Sequence, residues 1–152
     1  MMKCFSFVYV LSLLLMSFQT NVLEEARNGY SKAVSDKKLC KEMMQKLDHS
    51  SITSVLNFAY LGAFESIWAH HSINPVTKLS TFKAGKNKIE KAIKKEPRNA
   101  EIRYIRLSIQ KKSPSFLGYK SNINEDMDFL KKNRSQITSK TVLNNIDLLL
   151  KE

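Results

Sequence analysis

Gly85–Arg106, GKNKIEKAIKKEPRNAEIRYIR, is the stretch on which the fold turns. With Phe82 just upstream, Gly85, Ile89, Ala92 and Ile93 share one helical stripe, and most of the other positions are Lys. Pro97 stops that helix, because proline cannot donate the next backbone hydrogen bond. From about Asn99 a second helix turns Ile102, Ile105 and Ile109 to one side. Two amphipathic helices joined by so short a link favour an antiparallel hairpin.

The same periodicity extends outward in both directions. Upstream, Leu23, Ala26, Tyr30 and Ala33 predict a helix from Val22 to Val34. Asp36 is a cap candidate for a second helix carrying Leu39, Met43 and Leu47. From Ile52 to Ala69 the chain is apolar almost all round, the mark of a central, buried helix. HHSINPVTKLS then reads as a long connection, with Pro75 ending any helix there. Downstream, SPSFLGY reads as a loop whose Phe116, Leu117 and Tyr119 fold back onto the helices. Two short helices follow, one capped by Asn122 or Asn124 and one by Ser139. They turn Ile123, Met127 and Leu130, then Val142, Ile146 and Leu149, inward. Nothing alternates with the period of a strand.

A tetratricopeptide repeat pairs a small residue with a large apolar one four later and closes its second helix with Pro. Gly85, Ile89, Ala92 and Pro97 have that spacing, which sets Ala92 at a close helix contact. Phe58, Leu61 and Gly62 have the spacing of the first helix, with Phe in place of Trp. Glu65 stands where an aromatic is expected, Arg103 and Arg106 where apolar residues are, and Asn74 to Ser80 reads as an inserted loop. The expectation is an all-α protein: antiparallel helical hairpins in a degenerate tetratricopeptide-like array of about six to seven helices. The longer pattern from Asn74 to Leu130 resembles a family of small secreted helical proteins from Bacteroidota-type bacteria. The resemblance implies a signal peptide and a tetratricopeptide-like fold, and it transfers no catalytic residue.

MMKCFSFVYVLSLLLMSFQT has one cation, Lys3, then an apolar run from Phe5 to Leu15 without an acid. That is a signal-peptide pattern, and the run is too short to span a bilayer. Residues 1–19 are therefore expected to be a signal peptide, followed by one α-helical domain over 20–152. Ser17-Phe18-Gln19 is a poor cleavage signature, so an uncleaved anchor is the alternative. The expected location is exported, periplasmic or secreted. Cys40 is then a lone thiol, read as a small buried hydrophobe.

Lys and Arg number 25 against 14 acids, a net charge of +11. Cations crowd Lys78 to Lys112, and Lys83, Lys86, Arg103 and Arg106 form a candidate anion- or partner-binding set. Internal pairing of the two arginines competes with that reading, with Glu65 the leading acceptor and Asp126 and Asp128 the others. Phe116, Leu117 and Tyr119 form a candidate partner-contact loop. His70 and His71 diverge on a helix and cannot chelate one ion from one face. No nucleophile, phosphate-loop or metal motif is present. No cofactor and no catalysis are expected. The function expected is a helical scaffold or adaptor of the cell envelope that binds a protein or peptide. The alternative is a module binding anionic lipid headgroups or polysaccharide through its basic face; nucleic acid is disfavoured, because the aromatics look committed to the core. Intact-mass measurement of protein isolated from its native envelope should show a chain lacking Met1 to about Gln19. A full-length mass would instead establish an anchor.

Overall fold

The computed structural model describes residues 22–152, and the expected signal segment, Met1 to Gln19, lies outside them. Among the described residues there are seven α-helices and no strand. They are α1 (22–29), α2 (Lys37–Ser50), α3 (Val55–His71), α4 (Pro75–Lys95), α5 (Ala100–Lys112), α6 (Ile123–Asn133) and α7 (Lys140–Leu149). The expected all-α class is what the described residues adopt.

Short polar side chains set most of the helix starts. Asp36 accepts from the Leu39 N–H, Ser54 from Asn57, Asn99 from Glu101 and Ile102, and Ser139 from Val142. Each satisfies a donor that the first turn leaves unpaired. Asn122 precedes α6 without such a bond.

Three boundaries differ from the sequence expectation. The first helix does not run to Val34: it stops after Gly29, and a 3-10 turn over Lys32–Val34 follows. Glycine is a poor helix former, and the 3-10 turn still buries Ala33. The central helix begins at Val55, leaving Ile52 exposed. The largest correction concerns Pro75, which opens a helix rather than ending one. It occupies the first turn of α4, where its missing N–H is not needed and its fixed φ suits the helix. Asn74 caps the turn by accepting from Val76 and Thr77. The supposed inserted loop is therefore helix, and residues 72–74 alone join α3 to α4.

α3 is central, with Ala59, Tyr60, Ala63 and Phe64 fully buried, and α2, α4 and α5 all pack on it. α4 lies closest. A Cβ built on Gly62 would stand 2.6 Å from the Gly85 carbonyl oxygen and 2.8 Å from Lys88 Cβ. The reverse holds at Gly85, which faces Gly62 and the Ser66 hydroxyl at 2.5 Å. Two glycines thus let the α3 and α4 backbones touch. The buried stripe of α4 is Phe82, Gly85, Ile89, Ala92 and Ile93, as its spacing predicts. Ile102, Ile105 and Ile109 of α5 and Val142, Ile146 and Leu149 of α7 are also inward. Residues 73–80, by contrast, are all exposed: the α3–α4 turn and the start of α4 project beyond the core.

Gly62→Ala and Gly85→Ala should each destabilise the fold by about 1–3 kcal/mol, because backbone stands in the way on both sides. Gly29→Ala, whose Cβ would meet only Leu39 Cδ2 at 3.5 Å, should be neutral or stabilising by up to about 1 kcal/mol. Urea denaturation of the three variants tests the contrast; equal effects would mean that the α3–α4 contact is not the tight one.

Candidate functional site

The basic set predicted from sequence divides in two. Arg106 forks onto Asp126 of α6, with Nε to Oδ2 and Nη2 to Oδ1 both at 2.7 Å. Arg103 adds a third bond to Asp126 Oδ1 at 2.8 Å and a bond to Glu125 at 2.5 Å. Asp126 is fully buried and Arg106 nearly so. Burial is the largest single influence and works against both guanidinium charges, but Asp126 together with the neighbouring carboxylates more than offsets it, and both pKa values are raised. The bonds from Arg103 and Asn122 hold Glu125 below the usual carboxylate range. Glu90 of α4 joins the same group, accepting from Arg106 at 3.3 Å and from the Tyr119 hydroxyl at 2.6 Å.

Glu65 is not the arginines' partner. It accepts from Lys88 at 2.8 and 2.9 Å, one helix away. Of the four candidate cations, Arg103 and Arg106 are consumed by α6, and Lys86 lies over the Tyr119 ring. Lys83 alone of the set is exposed. None of the four lines either of the two clefts described below. On the other side of α5, Glu101 receives a fork from Arg27 of α1, at 2.8 and 2.6 Å, and the Tyr60 hydroxyl at 2.8 Å. α5 therefore fastens the bundle on two faces with opposite charge.

The predicted partner-contact loop also divides. A 3-10 turn over Ser115–Leu117 ends at Gly118, whose φ of 61° is the left-handed conformation that glycine tolerates. Tyr119 then returns to the core and meets Phe82 edge-on at 6.1 Å. Leu117 is half-buried, and Phe116 points outward at 85% exposure. The expectation that all three fold back fails for Phe116, because the reversal at Gly118 recovers only the residues after it.

Phe116 stands at the edge of the main concavity, an open cleft of about 690 Å³. Its floor includes Ile67, Phe82 and Ile109, and its rim Val34, Leu79 and Phe116. His70, Lys78 and Lys112 are the ionisable side chains lining it, and no carboxylate does. A second cleft of about 360 Å³ adjoins it through Val34, Ile67, Ile109 and Lys112, and runs toward Leu148 of α7. The size and apolar lining are those of ligand-binding clefts. Sequence reasoning missed Leu79 and its neighbours because that segment read as a loop. The available signal was Val76 and Leu79, three residues apart, directly after a proline suited to a first helical turn.

Neither the histidines nor the thiol forms a reactive pair. His71 Nε2 is 2.8 Å from the Ala33 carbonyl, and the Ser66 and Ser113 hydroxyls donate to backbone carbonyls of their own helices. Burial pushes the Cys40 thiol up to about 12. Among the described residues, no three His, Cys, Asp or Glu side chains gather as a metal site would require. No protein-family model, no curated protein and no solved structure matches the chain.

Breaking the Arg106–Asp126 pair strands a buried charge. Asp126→Ala and Arg106→Ala should each cost about 3–5 kcal/mol. The double variant should cost well under their sum, whereas Arg106→Ala with Glu65→Ala should be additive to within about 0.5 kcal/mol. Denaturation midpoints around both cycles decide between the two acceptors.

Proposed function

We propose that the protein is a non-enzymatic helical scaffold or adaptor of the cell envelope, and that the apolar cleft is where a protein or peptide partner docks. The observation that carries this reading is the cleft itself, whose rim holds Val34, Leu79 and Phe116 exposed. Apolar side chains gathered around a concavity offer a docking surface for an apolar segment. The envelope location rests on the Lys3 and Phe5–Leu15 pattern. The α3–α4 hairpin supports a tetratricopeptide-like unit, since Gly62 and Gly85, the small residues of the two half-motifs, meet face to face. The competing anion-binding reading loses Arg103 and Arg106, whose donors already have acceptors within the fold.

A photo-crosslinking residue at Leu79 of the full chain, expressed in its own cells, tests the proposal against the same residue at Lys94, at the far end of α4. One discrete protein conjugate is expected at Leu79 and none at Lys94. Val34→Asp, on the rim, should lower its yield by about tenfold without changing the melting temperature. Equal labelling at both positions, or a yield indifferent to Val34→Asp, would remove the cleft as the docking surface.

A further inference from the structure

We infer that the end of the molecule formed by the α3–α4 turn and the α5–α6 loop seats on an anionic lipid bilayer, with Ile73, Val76 and Phe116 entering the headgroup–acyl boundary. These three side chains are 96%, 78% and 85% exposed. They come from two connections that share an end, because Pro75 and Leu79 line the same cleft as Pro114 and Phe116. Ile73 and Val76 line neither cleft and project from a segment in which every residue from 73 to 80 is exposed. A projecting set of single apolar side chains offers no cavity to a small ligand. It does match a fluid interface that closes around each of them.

Charge selects the occupant. From residue 66 to 89, and again from 102 to 124, the chain has no Asp or Glu. Lys78 and Lys112 are exposed at this end, where both line the cleft. Glu152 does reach this end and pairs with Lys112 at 2.7 Å, while Lys111 donates to the Leu149 carbonyl. Lysines beside interfacial apolar residues face lipid phosphates, each contributing about 1 kcal/mol near an anionic surface. No described helix is long and apolar enough to cross a membrane, so this contact lies on the bilayer. The inference does not depend on the cleft being a peptide site, because Ile73 and Val76 are outside it.

The test reads the site directly, so that attachment through any other part of the full chain cannot mimic it. Trp68 is the single tryptophan; in a Trp68→Phe background, Ile73→Trp and Lys94→Trp report on the two ends of α4. Those ends are about 30 Å apart at the helical rise. With vesicles of phosphatidylglycerol and phosphatidylcholine carrying a nitroxide on the acyl chain, the Ile73→Trp emission should be quenched and blue-shifted, and the Lys94→Trp emission unchanged. Val76→Ser with Phe116→Ser should lower that quenching at least about tenfold in lipid concentration. Lys78→Gln should lower it by about fivefold, and the dependence on Lys78 should vanish in phosphatidylcholine alone. Equal quenching at both ends, or none at Ile73→Trp in vesicle-bound protein, would overturn the inference. So would a conjugate at Leu79 that is lost in Val76→Ser with Phe116→Ser while vesicle quenching persists, since those residues would then serve the protein partner.

Discussion

The contact between Gly62 and Gly85 is the constraint to which the rest of the bundle is referred. Because neither residue carries a Cβ, the α3 and α4 backbones meet with Ser66 inserted beside them, its hydroxyl turned back onto the Gly62 carbonyl. That approach closes one flank of α3, and α2 and α5 close others. A helix covered on several sides can be apolar all round, as Leu61, Phe64 and Ile67 require. The same contact fixes where α4 lies along α3. Its last four turns are packed, and its beginning, from Pro75 to Ser80, extends past the core.

Charge divides according to the same geometry. α5 presents Glu101 to Arg27 and Tyr60 on one side, and Arg103 and Arg106 to Asp126 on the other. A carboxylate as buried as Asp126 would be strongly destabilising alone, and two guanidinium groups make it tolerable. Such a cluster contributes less to net stability than its short bonds suggest, since two or more ions give up water to form it. What it supplies is register: α6 can slide along α5 only by parting the Arg106 fork and the Arg103 bonds. Burial raises the Tyr60 and Tyr119 pKa values, as do Glu101 and Glu90, so both phenols remain protonated donors within these groups.

Much of the architecture was legible in the sequence, and the failures have physical causes. The inward stripes of α4, α5 and α7 followed from periodicity alone, because each packs one face on the core. The caps Asp36 and Ser139 were legible because a short polar side chain before an apolar period has few other roles. Pro75 misled because proline both ends and begins helices, and only the neighbouring Asn74 and the spacing of Val76 and Leu79 distinguish the two. The partner of Arg106 was not legible, since Glu65 and Asp126 are equally plausible until the pairing of α5 with α6 is known. Phe116 was misjudged because an aromatic in a loop normally signals burial, and the left-handed turn at Gly118 that withholds it is visible only in the backbone.

The misread segments are also the ones that the functional readings concern, and this follows from packing. A residue committed to the core is reported by its period, because burial on one face imposes it. Ile73 and Phe116 answer to no such face, and Val76 shares only its helical spacing with Leu79, on a segment that the core does not cover. Leaving one exposed apolar side chain is ordinary. Three projecting from two connections at one end, in stretches from which acids are absent, are a different matter. Each forgoes about 1.5–3 kcal/mol that burial would provide. The fold could have recovered part of this by shortening α4, yet Asn74 and Pro75 start the helix at residue 75 and fix the exposed segment in helical form. An apolar side chain already set in a capped helix and flanked by Lys78, as Val76 is, loses less backbone entropy on meeting a surface than one in an unstructured segment would.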